Sequence, residues 1–138
     1  MRFMIIVKAT KDSEAGVMPT EALLAAMADY HEQLAKAGIL LDGNGLQASS
    51  KGVRIKYSGG KQTVVDGPFA ETKELIAGYT IIQVKSKAEA IEWAKRMPNP
   101  AVDGKECEIE LRQMFELEDF EQGQSIDRFH DMGIGGKK

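Results

Sequence analysis

Apolar and polar positions along the chain follow two periodicities, one typical of strands and one typical of helices. Residues 3–8 are apolar on both alternating faces, which predicts a strand that is buried on both sides. From Thr20 to about Ala37 the apolar residues recur at helical spacing, and Gly38 follows as a stop. The beginning of the chain therefore predicts a strand followed by a helix that packs on a sheet.

The middle of the chain predicts strands joined by a tight turn. Residues 39–41 begin a second strand. Residues 53–57 then alternate up to the turn sequence at 58–61, and residues 63–65 return on the other side, which is the pattern of a β-hairpin. Residues 78–84 predict a central strand.

The C-terminal half predicts one more helix and one more strand. Ser86 and Glu89 have the spacing of a capping box, in which each side chain accepts a hydrogen bond from a backbone N–H at the helix start. The helix should run to about Met97, where two prolines end it. Residues 107–117 alternate apolar and charged positions, which predicts a half-buried last strand.

This order of elements predicts an α+β fold: a ferredoxin-like antiparallel sheet with two helices on one face and an inserted β-hairpin. Such a fold leaves one sheet face uncovered. Because the first strand is apolar on both sides, we expect that face to meet a second copy and form a homodimer. Residues 1–120 should form the domain, and residues 121–138 a flexible tail.

Composition narrows the class of protein. The chain has 138 residues, 43% of them hydrophobic, which fits one globular domain. Its net charge of −3 and the lack of a basic cluster interleaved with aromatics argue against nucleic-acid binding. Only residues 3–7 are continuously apolar before Lys8, too few for a signal peptide or a membrane span. We therefore expect a cytoplasmic protein without a membrane partner.

Metal and nucleotide sites find little support in the sequence. Cys107 is the only cysteine, and His31 and His130, the only histidines, are separated by most of the chain. We predict no bound metal and no cofactor. Gly43 and Gly45 begin a match to the dinucleotide fingerprint, but no helical pattern follows them, so we interpret them as strand-end or bulge glycines.

The stretch VDGPFAETKE, residues 65–74, has two interpretations. In the structural one, the Asp66 carboxylate accepts backbone N–H bonds in a turn, Gly67 and Pro68 shape that turn, and Phe69 anchors it in the core. In the functional one, a partly desolvated carboxylate of this stretch transfers protons beside Lys73. The turn is the simpler interpretation, and both stay open.

Several segments together resemble the DGPF-motif branch of the YCII-related family over about residues 1–120. They are MRFMIIVKA, AKAGILLDGNGL, SSKGVRIKYSGGK, DGPFAETKELIAGY, SKAEAIEWAKRMP and EIELRQMFELEDF. The resemblance implies a ferredoxin-like subunit that dimerises through its sheets as a dimeric α/β barrel. It also implies a bacterial protein associated with an extracytoplasmic-function sigma factor, with small enzymes such as a dehydrochlorinase among wider relatives. The histidine suspected of catalysis in that wider family falls near Ala26, about a turn before His31, so the family's His-Asp pair is not carried over.

Two functional hypotheses follow. The first is a cofactor-free lyase or isomerase that binds a small molecule in a cavity, with Asp66 or His31 as general base. The side chains expected to position its substrate are Tyr30, Phe69, Glu71 and Lys73. The alternative is a non-catalytic metabolite-sensing or regulatory module linked to a sigma factor. In a third, purely structural reading the DGPF loop only builds the dimer.

Overall fold

Residues 1–136 are described by a computed structural model, and they form six strands and four helices. The strands are β1 Arg2–Lys8, β2 Leu40–Gly45, β3 Val53–Ser58, β4 Lys61–Asp66, β5 Ile76–Gln83 and β6 Ile109–Gln113. The helices are α1 Lys11–Glu14, α2 Glu21–Lys36, α3 Lys87–Lys95 and α4 Gln124–Asp131. No helix in this part of the chain has the length and apolar character needed to cross a membrane.

The main sheet has four antiparallel strands in the order β2-β5-β1-β6, and β3 and β4 pair with each other in a separate ribbon. This mixed α+β architecture is consistent with a ferredoxin-like fold, as the sequence predicted. The inserted hairpin is confirmed, with Gly59 and Gly60 at positive φ in its turn. The dimeric barrel stays a prediction.

Both long helices begin at side-chain caps. The Thr20 hydroxyl accepts a hydrogen bond from Leu23 N at 3.2 Å at the start of α2, and the Ser86 hydroxyl accepts one from Glu89 N at 3.1 Å at the start of α3. The Glu89 carboxylate accepts instead from Lys85 N at 3.1 Å. These bonds satisfy backbone donors that have no partner inside the helix.

The core lies between the main sheet and helices α2 and α3. Its fully buried large side chains are Phe3, Ile5, Leu34 and Ile82. Burying a side chain of this size contributes roughly 1.5–3 kcal/mol each. The other face of β1 is apolar as well: it carries the half-buried Met4 and the buried Ile6.

The last strand is shorter than its pattern predicts. β6 ends at Gln113, whereas the alternation continues to Leu117. The Glu116 carboxylate binds the Arg2 guanidinium at 3.0 Å, and residues 117–119 form a 3₁₀ turn, so the chain bends away from the sheet. As a result Phe115 points into solvent, while Leu117 is buried in the turn.

Part of the expected tail is helical. Helix α4 buries Ile126, and Gly135 lies so close to Leu117 that an added Cβ would be 2.5 Å from Leu117 Cγ. Lys137 and Lys138, the end of the predicted flexible segment, lie outside the described residues. The sequence did not predict α4, because the eight residues of this helix carry only two large apolar side chains, Ile126 and Phe129.

Candidate functional site

A cleft lies between the helices and the main sheet, and it has two adjoining lobes. The inner lobe, about 380 Å³, is lined by residues of α2, β2 and β5. The outer lobe, about 730 Å³, lies between residues 12–19 and residues 45–51. The two lobes share the lining residues Val7, Pro19, Gly45, Ala77 and Pro100. The shared wall makes them one elongated cleft.

The imidazole of His31, a residue of α2, lines the inner lobe. Its Nδ1 lies 2.8 Å from the Met27 carbonyl oxygen, and its Nε2 lies 2.8 Å from the Thr80 hydroxyl oxygen. Because a carbonyl only accepts, Nδ1 carries the proton of the neutral ring, and Nε2 then accepts the Thr80 O–H. Thr80 is only 3% exposed. The pair is therefore oriented by the fold before any ligand arrives.

Small residues leave the approach to this pair open. Gly43 of β2, Ala77 and Gly78 of β5 line the inner lobe. A Cβ added at Gly43 would lie 3.7 Å from His31 Nε2 and from the Thr80 hydroxyl oxygen. A methyl group at position 43 would therefore fit in ordinary contact with the pair and would occupy part of the space beside it.

The remaining walls of the inner lobe are largely apolar. Leu23, Leu24 and Met27 of α2 line it, together with Met97 after α3. The hydrogen bond from the Asn44 side-chain amide to the Tyr79 hydroxyl, at 3.0 Å, lies on the opposite face of the sheet, because these two residues alternate with Gly43 and Thr80. An apolar pocket with few oriented polar groups is the usual form of a small-molecule site.

The DGPF loop is attached to the wall of the outer lobe. The Ser49 hydroxyl donates to the Glu14 carboxylate, which also accepts Ser49 N at 2.8 Å. The same hydroxyl oxygen accepts Phe69 N at 3.0 Å, and Gly67 N donates to Gly52 O at 3.0 Å. A Cβ at Gly67 would lie 1.8 Å from the Ser49 carbonyl oxygen, so only glycine fits there. The loop is a docked turn, but it is held through Ser49 and Gly52. The structural interpretation was wrong in two details: in the described part of the chain the Asp66 carboxylate accepts no backbone N–H bond, and Phe69 lies outside the core cluster.

The other predicted site residues of this loop stand apart from the cleft. Asp66 ends β4, is exposed, and lines neither lobe. Glu71 and Lys73 are also exposed and outside both lobes. Phe69 is half-buried beneath the Arg54 guanidinium, 3.8 Å from the ring centre. The structure therefore does not bring Asp66 and His31 together at the cleft.

Tyr30 faces the core. It is 2% exposed, and its hydroxyl donates to the Trp93 carbonyl at 2.7 Å. Burial raises the pKa of Tyr30 to about 12, against a smaller lowering by the positive charge of Arg96. Its ring meets the His31 ring edge-on, with centroids 5.5 Å apart. Tyr30 thus supports the helix that carries His31 and does not line the cleft.

Thr80 and Gly43 are the site residues that sequence reasoning missed. Thr80 is the one aliphatic hydroxyl residue among residues 78–84, which also contain Tyr79 and Gln83, and a small polar side chain in a strand expected to be buried was the available signal. Gly43 was interpreted only as a strand-end or bulge glycine, and β2 does shift register between Leu40 and Asp42. Over residues 1–136, no three His, Cys, Asp or Glu side chains are grouped to hold a metal ion.

Comparison with known proteins places the chain in a family. The family model of the YCII-related domain matches residues 1–114. An uncharacterised protein of Rhizobium meliloti (strain 1021) is 30% identical over 79 residues, which are 57% of this chain and 64% of that protein. The chain thus spans less than two thirds of that relative.

One solved structure shares a distant likeness. It is 5-chloro-2-hydroxyhydroquinone dehydrochlorinase from Burkholderia phenoliruptrix AC1100, in complex with 2,5-dihydroxybenzoquinone. The match covers 84% of this chain and 95% of that chain, at 14% identity and a TM-score of 0.44. A likeness at this level carries no argument about substrate or mechanism.

Proposed function

Because the chain belongs to the YCII-related family, whose model matches most of its length, we propose that its cleft binds a small molecule and that His31 moves a proton on it. The observation that carries the proposal is the His31–Thr80 pair, oriented at the inner lobe beside the gap at Gly43. A candidate base has to lie within hydrogen-bond reach of its substrate, and His31 lines the lobe. Asp66 does not, so His31 is the base in this proposal.

The walls of the inner lobe indicate the class of ligand. A floor of small residues beside leucine and methionine side chains accommodates a flat, largely apolar molecule. Its polar group would face the Thr80 hydroxyl and His31 Nε2. When the Thr80 O–H turns toward the ligand, Nε2 is released to accept a proton, as a cofactor-free lyase or isomerase acting beside a carbonyl requires.

The test uses small planar probes, phenol, catechol and 4-hydroxybenzaldehyde, titrated into the ¹⁵N-labelled protein. We expect amide shifts centred on Gly43 and Thr80. Gly43→Ala should weaken probe binding about tenfold, equivalent to about 1.4 kcal/mol, because its methyl group occupies the gap. Gly123→Ala is the control, since an added Cβ there meets no atom within 4 Å. Shifts centred elsewhere, or unchanged affinity in Gly43→Ala, would contradict the site.

Catalysis is tested separately with His31→Gln. If the protein turns over a bound probe, this change should remove turnover while the probe still binds, because glutamine keeps hydrogen bonding but does not take up a proton. A His31→Gln variant that retains full turnover would exclude His31 as the base.

A non-catalytic sensing module is the second candidate. It is favoured by the state of His31, whose two ring nitrogens already have partners in the fold. In that role a ligand would raise the melting temperature without being consumed, and the signal would pass to a partner such as a sigma factor. A probe that is converted would exclude this candidate.

The proposal has two further parts, which are assignment to the DGPF branch of the family and assembly as a homodimer. The docking of the DGPF turn through Gly67 and Ser49 supports assignment to the DGPF branch. The face of the main sheet opposite the helices carries the half-buried Met4, Tyr79 and Ile81. That apolar row supports a homodimer of the barrel type.

A further inference from the structure

The outer lobe of the cleft has two carboxylates in its lining, and both already have partners in the fold. The Asp12 carboxylate binds Lys105 Nζ at 2.9 Å. The Glu14 carboxylate accepts hydrogen bonds from both the backbone N–H and the hydroxyl of Ser49. Because their charges are compensated or hydrogen-bonded within the chain, these two groups have little to offer a cationic ligand.

Three other polar side chains of the outer lobe remain without a side-chain hydrogen bond or ion pair in the described part of the chain. Thr10 and Ser13 also line the lobe, but the hydroxyl of each accepts the backbone N–H of the other at the start of α1. The three that remain lie close together in the loop after β2, and they are Gln47, Ser50 and Lys51. Among residues 1–136, Lys51 is the one cation in the lining of this lobe. This end of the cleft therefore offers an ammonium group and two neutral hydrogen-bonding groups.

The passage between the two ends of the cleft is apolar. On its outer side it continues along Val17 and Met18, which are 45% and 78% exposed. A ligand chain that covers such side chains removes apolar surface from water, which favours binding. The residues that line both lobes are all apolar, and they are Val7, Pro19, Gly45, Ala77 and Pro100. A ligand that spans the two lobes therefore needs an apolar middle section.

Strand β2 and the loop after it set the distance between the two ends. Gly43 lies beside the His31–Thr80 pair in the inner lobe. Gly45 lines both lobes, and Ala48 lines the outer one. At about 3.3 Å per extended residue, the backbone from position 43 to position 48 spans at most roughly 17 Å. A ligand that contacts both ends is therefore roughly 15 Å long.

We propose that the ligand of the cleft is an elongated carboxylic acid. Its flat head with a polar oxygen lies in the inner lobe, an apolar chain follows the passage, and its carboxylate lies at Lys51. The head occupies the site of the proposed function, so this ligand class rests on that function and extends it to the outer lobe. One ammonium beside the neutral groups of Gln47 and Ser50 suits the single charge of a carboxylate.

Probes that share a head and a chain and differ only in the end group test this ligand class. They are 8-(4-hydroxyphenyl)octanoate, the corresponding octanamide and the corresponding octylamine, with phenol as the head alone. Each is titrated into the ¹⁵N-labelled protein. We expect phenol to shift the amides of Gly43 and Thr80, and the octanoate to shift those of residues 45–51 as well. The octanoate should bind about threefold more tightly than the octanamide, because an exposed ion pair contributes little, and the octylamine should bind most weakly.

Substitution of Lys51 tests the carboxylate end. Lys51→Met removes the ammonium and keeps a long side chain, so the preference for octanoate over octanamide should disappear while the affinity for octanamide and phenol is unchanged. Lys51→Arg should keep the preference, because it keeps the charge. Lys56→Met is the matched control, since Lys56 is exposed on β3 and lines neither lobe. Circular dichroism checks the folding of each variant.

The phenol titration separates failure of this ligand class from failure of the proposed function. If phenol leaves Gly43 and Thr80 unshifted, the proposed function is wrong and the elongated acid is wrong with it. If phenol shifts both amides, three results would overturn the elongated acid alone. They are an octanoate that leaves residues 45–51 unshifted, an octylamine that binds as tightly as the octanoate, and a Lys51→Met variant that keeps the preference.

Discussion

Gly67→Ala tests how the DGPF turn is held in the fold. An alanine Cβ at position 67 would lie 1.8 Å from the Ser49 carbonyl oxygen and 2.7 Å from its carbonyl carbon. Both contacts are to backbone, which has little freedom to move aside. We expect the turn to separate from residues 49–52.

The cost of that separation follows from the hydrogen bonds it breaks. They are Gly67 N to Gly52 O at 3.0 Å and Phe69 N to the Ser49 hydroxyl at 3.0 Å. At about 1 kcal/mol each, their loss lowers the free energy of unfolding by about 2 kcal/mol. For a chain of this length we expect the melting temperature to fall by roughly 7 °C.

The measurement is thermal unfolding followed by circular dichroism, with Gly52→Ala as the matched control. A Cβ at Gly52 lies 3.5 Å from the same Ser49 carbonyl oxygen, an ordinary contact, and its φ is −114°. Gly52→Ala should therefore melt within about 2 °C of the wild type, equivalent to about 0.5 kcal/mol. If Gly67→Ala melts equally close to the wild type, the close approach of the two loops is wrong.

Three further substitutions test other parts of the molecule. Tyr30→Phe should cost about 1 kcal/mol at neutral pH, because the Trp93 carbonyl loses its donor. The raised pKa of Tyr30 stabilises the fold fully below pH 10, and that contribution is lost as pH rises through about 12. Denaturant unfolding from pH 9 to 11 should therefore show the wild type losing about 1 kcal/mol more than Tyr30→Phe, and equal losses would refute the burial argument. Thr80→Val leaves His31 Nε2 without its hydrogen-bond donor. We expect the free energy of unfolding to fall by about 1–2 kcal/mol and the Nε2 chemical shift in ¹⁵N NMR to change. An unchanged Nε2 chemical shift would contradict the assigned tautomer. Asp66→Asn should change stability by less than about 0.5 kcal/mol and leave probe binding in the inner lobe intact, whereas weaker binding would return Asp66 to the site.

Elements with strong local patterns could be predicted from the sequence. Strand β1, helix α2 and the hairpin turn at Gly59 and Gly60 lie where apolar spacing and turn residues indicate, because those signals act within a few neighbours. Helix α1 has four residues and buries none of them, so no apolar periodicity reports it. The end of β6 depends on the Arg2–Glu116 ion pair, which joins residues far apart in the chain.

The candidate site, like the fold, could be predicted from the sequence only in part. His31 was among the predicted residues, and the cleft does contain it. Thr80 and Gly43 meet His31 only because β5 and β2 pair in the sheet and α2 packs over them. Asp66 and Lys73 lie near each other in the sequence, but neither lines the cleft. Adjacency in sequence therefore did not predict adjacency at the cleft.

Local physical chemistry by itself determined the α+β class, the antiparallel sheet and the hairpin turn at Gly59 and Gly60. Side-chain periodicity, capping and glycine conformation act over a few residues and leave a readable pattern. Only the tertiary structure decided that Gly67 is required by the Ser49 carbonyl, that Tyr30 belongs to the core, and that Thr80 orients His31. Those roles depend on atoms brought together from distant segments, and no short stretch of sequence contains the distances between them.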